Sequence, residues 1–286
     1  MITNFESIRD VNPQVVGAFL GLQLSGMIGF AVVVSTATCS QNVKRKPTWY
    51  AFCAAWILSC LSYTLVFLVG QQDAPNYGVC VTQAAAIYAS PGMAGCSTLA
   101  LSIDMLLGVR ASQTMSVRRR YGVTLTLMIT PYVLWLGLFI GFLVYGLQNP
   151  ATVKMGPNGT YCDLSTVTPS RISGMIVVLS MLPLIVIQGY IGSRLVRNRN
   201  FLRDFKLVQM ATRVMIFSLL GVLGMGVGFA YVIFSEQGPV FDIILAALPA
   251  SGVLIFGTQM DLVNVWLFRH PTQEEDHDSI DKVTPA

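Results

Sequence analysis

Charged residues are unusually scarce in this 286-residue chain. Charged residues make up 11% of it and hydrophobic residues 53%, whereas a soluble domain usually carries about 25% charged residues. So little charge cannot cover the surface of a soluble globular protein. The composition therefore predicts an integral membrane protein, and apolar runs of about 20 residues fill nearly all of its length.

Side chains that carry chemistry inside membranes are also scarce. The chain has two histidines, His270 and His277, both near the C-terminus, whereas a membrane zinc hydrolase needs several histidines within its helices. No lysine occurs in the last apolar run, 241–268, where a covalent retinal protein needs one for its Schiff base. No G-x-S-x-G or other nucleophile motif occurs. The sequence therefore predicts no enzyme, no metal site and no retinal or other cofactor.

Seven apolar runs follow one another, each long enough to cross a bilayer as a helix. The predicted helices cover residues 14–38, 49–70, 79–110, 122–147, 171–194, 207–235 and 241–268. The third run is rich in Ala, Ser and Gly, and helices that are small on most faces pack inside bundles. We therefore expect an all-α seven-transmembrane bundle around the third helix, with an N-terminal segment over 1–13 and a tail over 269–286.

The basic residues predict how this bundle is inserted. All but three of the 18 Lys and Arg residues lie on one side of the predicted helices, and the exceptions are Arg9, Lys154 and Arg171. Because basic loops remain cytosolic, we expect the N-terminus outside and the C-terminus inside, at the plasma membrane. The same loops face anionic lipid and account for the net charge of +4, so no nucleic-acid partner is expected.

Two features of the predicted outer loop between helices four and five fit this orientation. Its Asn158-Gly159-Thr160 sequon allows glycosylation of Asn158 outside the cytosol. Cys162 in this loop and Cys80 at the start of helix three are the two cysteines predicted outside, where oxidising surroundings favour a disulfide. Such a bond would hold the loop over the mouth of the bundle. The alternative is two free thiols, with Cys80 simply packed.

The combination of seven spans, an outside N-terminus, basic cytosolic loops and a helix-three cysteine bonded to the next outer loop resembles the G-protein-coupled receptors. The segments VNPQVVGAFLGL, KRKPTWYAFCAAW and CVTQAAAIYASPGMA resemble uncharacterised seven-helix proteins of mushroom-type fungi. The resemblance implies a receptor that couples to a heterotrimeric G protein. The chain departs from rhodopsin-like members, because Met105 follows Asp104 where they have an arginine and helix seven lacks N-P-x-x-Y.

Polar and aromatic residues in the outer halves of the helices are candidates for a ligand pocket, because a small ligand needs converging polar groups in an apolar cavity. The candidates are Gln83, Tyr88, Ser90, Tyr63, Tyr231 and Asp242. The alternative for each is a hydrogen bond between helices. Few outer charges and a short N-terminal segment favour a small apolar or amphipathic ligand over a protein ligand.

Two acidic residues, Asp104 and Asp261, lie near the predicted cytosolic ends of helices three and seven. Charges within membrane helices are costly and usually functional. We therefore hypothesise that they pair with Arg110, Arg213 or a nearby loop arginine in a resting lock; the alternative is hydration among the lipid headgroups. The predicted G-protein face consists of these residues together with the run Arg118, Arg119 and Arg120.

Two alternatives stay open. Gly17, Gly21, Ser25 and Gly29 recur at every fourth position of helix one and form a smooth ridge, which either packs on a neighbouring helix or forms a homodimer seam. A small-solute transporter or channel is the alternative function, although the chain shows no internal repeat of the kind that many transporters carry.

Overall fold

The computed structural model describes residues 12–40, 43, 45–72, 74–110, 117–197, 205–234 and 239–267. Within these ranges the side chains of 109–110, 117–120, 194–197, 205–207 and 225–234 are not described. The two terminal segments predicted from the sequence, 1–13 and 269–286, therefore fall almost entirely outside the described residues.

The described chain is all-α apart from one short hairpin, which confirms that part of the predicted fold class. Its long helices are α1 (Pro13–Cys39), α2 (Pro47–Leu68), α3 (Tyr77–Arg110), α4 (Val117–Gln148), α5 (Val167–Arg197), α6 (Phe205–Phe234) and α7 (Pro239–Gly257), and a short α8 (Met260–Trp266) follows. The connection between α4 and α5 forms a 3-10 turn (Pro150–Thr152) and two antiparallel strands, β1 (Val153–Met155) and β2 (Cys162–Leu164).

Five of these helices are long and apolar enough to cross a membrane, namely α1, α2, α4, α5 and α7. Large apolar side chains point outward from the bundle: Leu179 is 70% exposed, Val186 71% and Leu254 68%. A surface of this kind is stable against lipid and not against water. The chain is therefore an all-α protein of the multi-pass membrane type.

Helix α3 packs against α2, α4, α5, α6 and both strands, so it lies at the centre of the bundle. Small residues permit this position. Ala84 and Ala89 are completely buried, and a Cβ added at Gly92 would lie 3.0 Å from Ile176 of α5. Close backbone approach of this kind is how membrane helices gain packing contacts without a hydrophobic driving force between them.

The ridge of small residues on α1 divides between two surroundings. A Cβ added at Gly29 would lie 2.5 Å from Val253 of α7, so Gly29 packs within the chain and is not free for a dimer seam. Gly17 and Gly21 have nothing within 4 Å of such a Cβ, and Ser25 is exposed. A homodimer through these three residues stays a prediction.

The prediction of one unbroken helix over 241–268 is wrong. Helix α7 ends at Gly257, and α8 follows after Gln259, whose backbone is extended with φ −68° and ψ 132°. Arg213 of α6 donates hydrogen bonds to the hydroxyl and the carbonyl of Thr258, both at 2.9 Å, and to a second carbonyl in the last turn of α7. Because the last carbonyls of a helix lack partners within it, the guanidinium stabilises the end of α7 here.

The two ends of the bundle have different chemistry. We call the end that carries β1, β2 and the start of α7 the hairpin end. The opposite end carries α8 and the connection between α1 and α2, with Arg45 and Lys46, and we call it the basic end. The described candidates for ligand contact lie toward the hairpin end, and the acidic residues of the hypothesised lock lie at the basic end.

Candidate functional site

The predicted disulfide between Cys80 and Cys162 is present and joins the first turns of α3 to β2. Gln83, one turn further along α3, reinforces this attachment. Its Oε1 accepts a hydrogen bond from the Cys162 N–H at 2.9 Å, and its Nε2 donates to the carbonyl of Tyr63 in α2, also at 2.9 Å. Gln83 is completely buried. Its amide therefore links the hairpin to two helices.

Residues 156–164, which we call the lid, form a tight turn followed by β2. The Gly156 N–H donates to the carbonyl of Tyr161 at 2.8 Å, and the Gly159 N–H donates to the carbonyl of Gly156 at 3.0 Å. Gly159 has φ +68°, a backbone conformation that other residues rarely adopt. Gln72, in the connection between α2 and α3, donates to the Gly159 carbonyl at 2.7 Å. The turn thus folds back onto the helices.

Asp242, near the start of α7, accepts three hydrogen bonds from the lid. Its Oδ2 accepts from Asn158 Nδ2 and Thr160 Oγ1, both at 2.9 Å, and its Oδ1 accepts from the Tyr161 hydroxyl at 3.0 Å. Asp242 is 4% exposed, and no salt bridge to it occurs in the described part of the chain. A buried carboxylate is costly unless its oxygens are hydrogen-bonded, so the three hydrogen bonds from the lid stabilise Asp242 in its buried position.

Tyr161 fills the space beside this carboxylate with an aromatic ring. Its ring centroid lies 5.6 Å from that of Phe19 in α1 and 5.6 Å from that of Tyr63 in α2. Burial, and then the nearby Asp242, raise the pKa of the Tyr161 hydroxyl well above its usual value. The hydroxyl therefore stays protonated and continues to donate to the carboxylate.

Asp163 is the second carboxylate of the lid, and it accepts a hydrogen bond from the Tyr88 hydroxyl of α3. Burial raises the pKa of Asp163, although the bond from Tyr88 acts in the opposite direction. Lys154 lies opposite Asp163 in the register of the hairpin. The lid is thus bonded to α3 at Cys162 and Asp163, and to α7 at Asp242.

The lid occupies the position in which the sequence predicts a ligand. Four of the six predicted pocket residues are bonded to it or packed against it, namely Tyr63, Gln83, Tyr88 and Asp242. Ser90 instead donates to a carbonyl of its own helix, and the side chain of Tyr231 lies outside the described residues. Sequence reasoning missed Tyr161 and Asp163, because polar loop residues usually face water and nothing local marks them as buried.

The fold does not support the predicted glycosylation of Asn158. Its Nδ2, the atom to which a glycan would be attached, donates to Asp242. The third residue of the sequon, Thr160, is 2% exposed and bonded to the same carboxylate.

Two ion pairs hold the connection between α1 and α2 at the basic end. Arg45 Nη2 lies 2.6 Å from Asp261 Oδ2 of α8. Lys46 Nζ lies 3.1 Å from Asp104 Oδ2 and 3.2 Å from the Asp104 carbonyl. Asp104 is 4% exposed and also accepts from the Thr48 hydroxyl at 3.0 Å. Each acidic residue of the hypothesised lock therefore has a basic partner.

The partner of Asp104 differs from the predicted arginines. Lys46 reaches it because Gly108 has no side chain: a Cβ there would lie 3.0 Å from the Lys46 Nζ. Since Asp104 is buried, its predicted alternative of hydration among headgroups is wrong. Arg213 binds the end of α7 and neither acidic residue. The side chains of the remaining candidates, Arg110, Arg118, Arg119 and Arg120, lie outside the described residues.

Two cavities open on the outside of the bundle. One, of about 260 Å³, lies between α4 and α5 and is lined by residues such as Gly141, Phe142 and Pro169. The other, of about 510 Å³, lies between α6 and α7 beside Arg213 and Leu254. Neither is lined by a predicted pocket residue. At Tyr63 and Asp242, a ligand would compete with the lid residue Tyr161, which contacts both.

The described residues contain no group of three or more His, Cys, Asp or Glu side chains that could hold a metal ion. The chain matches no protein-family model and no curated protein.

Proposed function

We propose that the chain is a seven-span receptor of the plasma membrane that senses a small ligand at its hairpin end and couples to a heterotrimeric G protein at its basic end. The proposal rests on the observation that specific noncovalent contacts hold a connecting segment in place at each end of the bundle. At one end the lid is bonded to Asp242, and at the other two ion pairs hold the connection between α1 and α2. In a receptor, the ligand site and the G-protein site must each contain an element that can adopt two arrangements.

Two independent arguments support the proposed orientation. The disulfide between Cys80 and Cys162 favours an oxidising compartment for the hairpin end. The basic residues of the opposite end, with Arg45 and Lys46 among them, favour the cytosol by the positive-inside rule. Both arguments lead to the same insertion.

Helix α7 is the element that would connect the two sites. It has 19 residues and is therefore about 28 Å long. Asp242 near its start binds the lid, and at its other end the Thr258 carbonyl accepts a hydrogen bond from the guanidinium of Arg213 in α6. A ligand that binds better to the state with a displaced lid shifts the chain toward that state, and the shift reaches α6 through the contacts of Arg213.

Co-purification with a heterotrimeric G protein in the absence of nucleotide tests this function. The wild-type chain is expected to retain the G protein until GTP is added, because the nucleotide-free G protein binds the active receptor state. No retention, together with uptake of labelled sugars or amino acids into proteoliposomes, would favour the transporter alternative and contradict the proposal.

A further inference from the structure

We propose that Tyr161 occupies, from within the chain, a binding site for a protonated arylalkylamine. Such a ligand would take the place of Tyr161 between Phe19, Tyr63 and Asp242. The inference deepens the receptor proposal and rests on it for its biological meaning, because it names the class of ligand. Binding itself can be measured without a G protein.

The surroundings of Tyr161 are those of a bound small molecule. Its ring packs against Phe19 and Tyr63, each at 5.6 Å between centroids, and its hydroxyl donates to Asp242 at 3.0 Å. The three partners come from three different helices, α1, α2 and α7. Tyr161 itself belongs to the turn of the lid. The helices therefore present a site with an aromatic wall and an anionic floor, and the lid fills it.

The carboxylate specifies the charge of the replacement. When the turn leaves, Asp242 loses the hydrogen bonds of Asn158, Thr160 and Tyr161. No salt bridge in the described part of the chain compensates this side chain. A protonated amine supplies N–H donors, as the lid does, and in addition the opposite charge, which the neutral donors of the lid do not supply. The rings of Phe19 and Tyr63 favour an aromatic group on the same ligand and attract its cation.

The turn can leave without breaking the bundle. It begins at Gly156 and contains Gly159, so two of its positions have no side chain to move. Its internal bonds, from the Gly156 N–H to the Tyr161 carbonyl and from the Gly159 N–H to the Gly156 carbonyl, open when Tyr161 leaves, so these amides become accessible to water. The disulfide at Cys162 keeps the displaced turn close, so it competes with the ligand as a tethered group does.

Binding of small aromatic probes to a variant that lacks the Tyr161 ring tests this inference. In the full chain, purified in nanodiscs, Tyr161→Ala leaves a space for one aromatic ring with a polar group directed at Asp242. Benzylamine and benzyl alcohol match each other in shape, and only benzylamine carries a cation. We expect benzylamine to bind Tyr161→Ala about tenfold more tightly than benzyl alcohol, and Tyr161→Ala/Asp242→Asn to lose this preference. Tyr145→Ala, which removes a tyrosine beside the cavity between α4 and α5, is the matched control and should show no preference.

Equal binding of the two probes to Tyr161→Ala, or binding of neither, would overturn the inference. If Tyr161→Ala does not fold, hydrogen exchange of the unmodified chain decides. Saturating benzylamine should accelerate exchange of the Gly156 amide, which is bonded within the turn, and unchanged exchange would overturn the inference. Neither assay contains a G protein, so its failure is distinct from failure of the receptor proposal.

Discussion

Asp242→Ala should destabilise the lid by about 2 to 4 kcal/mol. The change removes the acceptor of three hydrogen bonds. Asn158 is only half-buried and can turn to water, but Thr160 is 2% exposed and Tyr161 lies among aromatic rings. Each of these two donors, left unsatisfied, costs about 1 to 3 kcal/mol, and Tyr161, which is only partly buried, lies at the lower end of this range. Relief of a buried charge and some relaxation of the turn offset part of the sum.

A double-mutant cycle separates this cost from a general loss of packing. Thr160→Val replaces one donor by a methyl group of similar shape and should cost about 1 kcal/mol in the wild-type background. In the Asp242→Ala background, the same change should instead recover about 1 kcal/mol or more, because it removes a buried hydroxyl that no longer has an acceptor. Hydrogen exchange of the Gly156 and Gly159 amides in the turn measures both values.

Two outcomes would refute this reasoning. A loss below about 0.5 kcal/mol for Asp242→Ala would mean that the carboxylate does not hold the lid. Equal effects of Thr160→Val in the two backgrounds would mean that Thr160 and Asp242 are not coupled. Ser90→Ala, which removes a hydroxyl bonded only within α3, controls for the loss of a buried polar group elsewhere.

Three further predictions concern other contacts. Gly108→Ala should shift the Lys46 Nζ by a few tenths of an ångström and weaken its contact with Asp104, because the new methyl group would lie 3.0 Å from it, and should lower the melting temperature slightly despite the better helix propensity of alanine. Asp163→Asn should stabilise the protein at pH 7: a folded-state pKa raised by burial means that stability falls as pH rises through it. The gain should disappear below the unfolded pKa of about 3.9. Asp261→Asn should raise basal nucleotide exchange on the G protein, because Arg45 loses its charged partner in α8.

Each of these predictions has a result that contradicts it. Gly122→Ala, at an exposed glycine with nothing within 4 Å, should be neutral or stabilising, and the same result for Gly108→Ala would remove the argument about Lys46. A loss of stability for Asp163→Asn at pH 7 would show that the ionised carboxylate is favourable. Unchanged basal exchange in both Asp261→Asn and Asp104→Asn would show that neither ion pair restrains a signalling state.

The helices were predictable from the sequence because each needs an apolar run of sufficient length. Their ends were less so: α4 begins at Val117 and α5 at Val167, a few residues before the runs that predict them, since a helix continues into polar sequence outside the apolar layer. The end of α7 at Gly257 was not predictable locally. It is stabilised by Arg213, which comes from a different helix.

At the candidate site, the sequence was informative where only a few residues could form the predicted contact. Only Cys80 and Cys162 were expected in an oxidising compartment, and they form the disulfide. The inward turn of the lid could not be predicted in this way. Asn158, Thr160 and Tyr161 have the composition of an ordinary surface loop, and they turn inward where Asp242, about 80 residues later, accepts their hydrogen bonds.

The central claim is that the lid and the basic end are coupled through α7. Hydrogen exchange over residues 255–267 in the full chain, compared between wild type and Asp242→Asn in nanodiscs, tests it most directly. If α7 connects the two ends, loosening of the lid should accelerate exchange at the Thr258 and Leu267 amides, which are hydrogen-bonded near and beyond the end of α7. Faster exchange in the lid with unchanged exchange over 255–267 would contradict the claim.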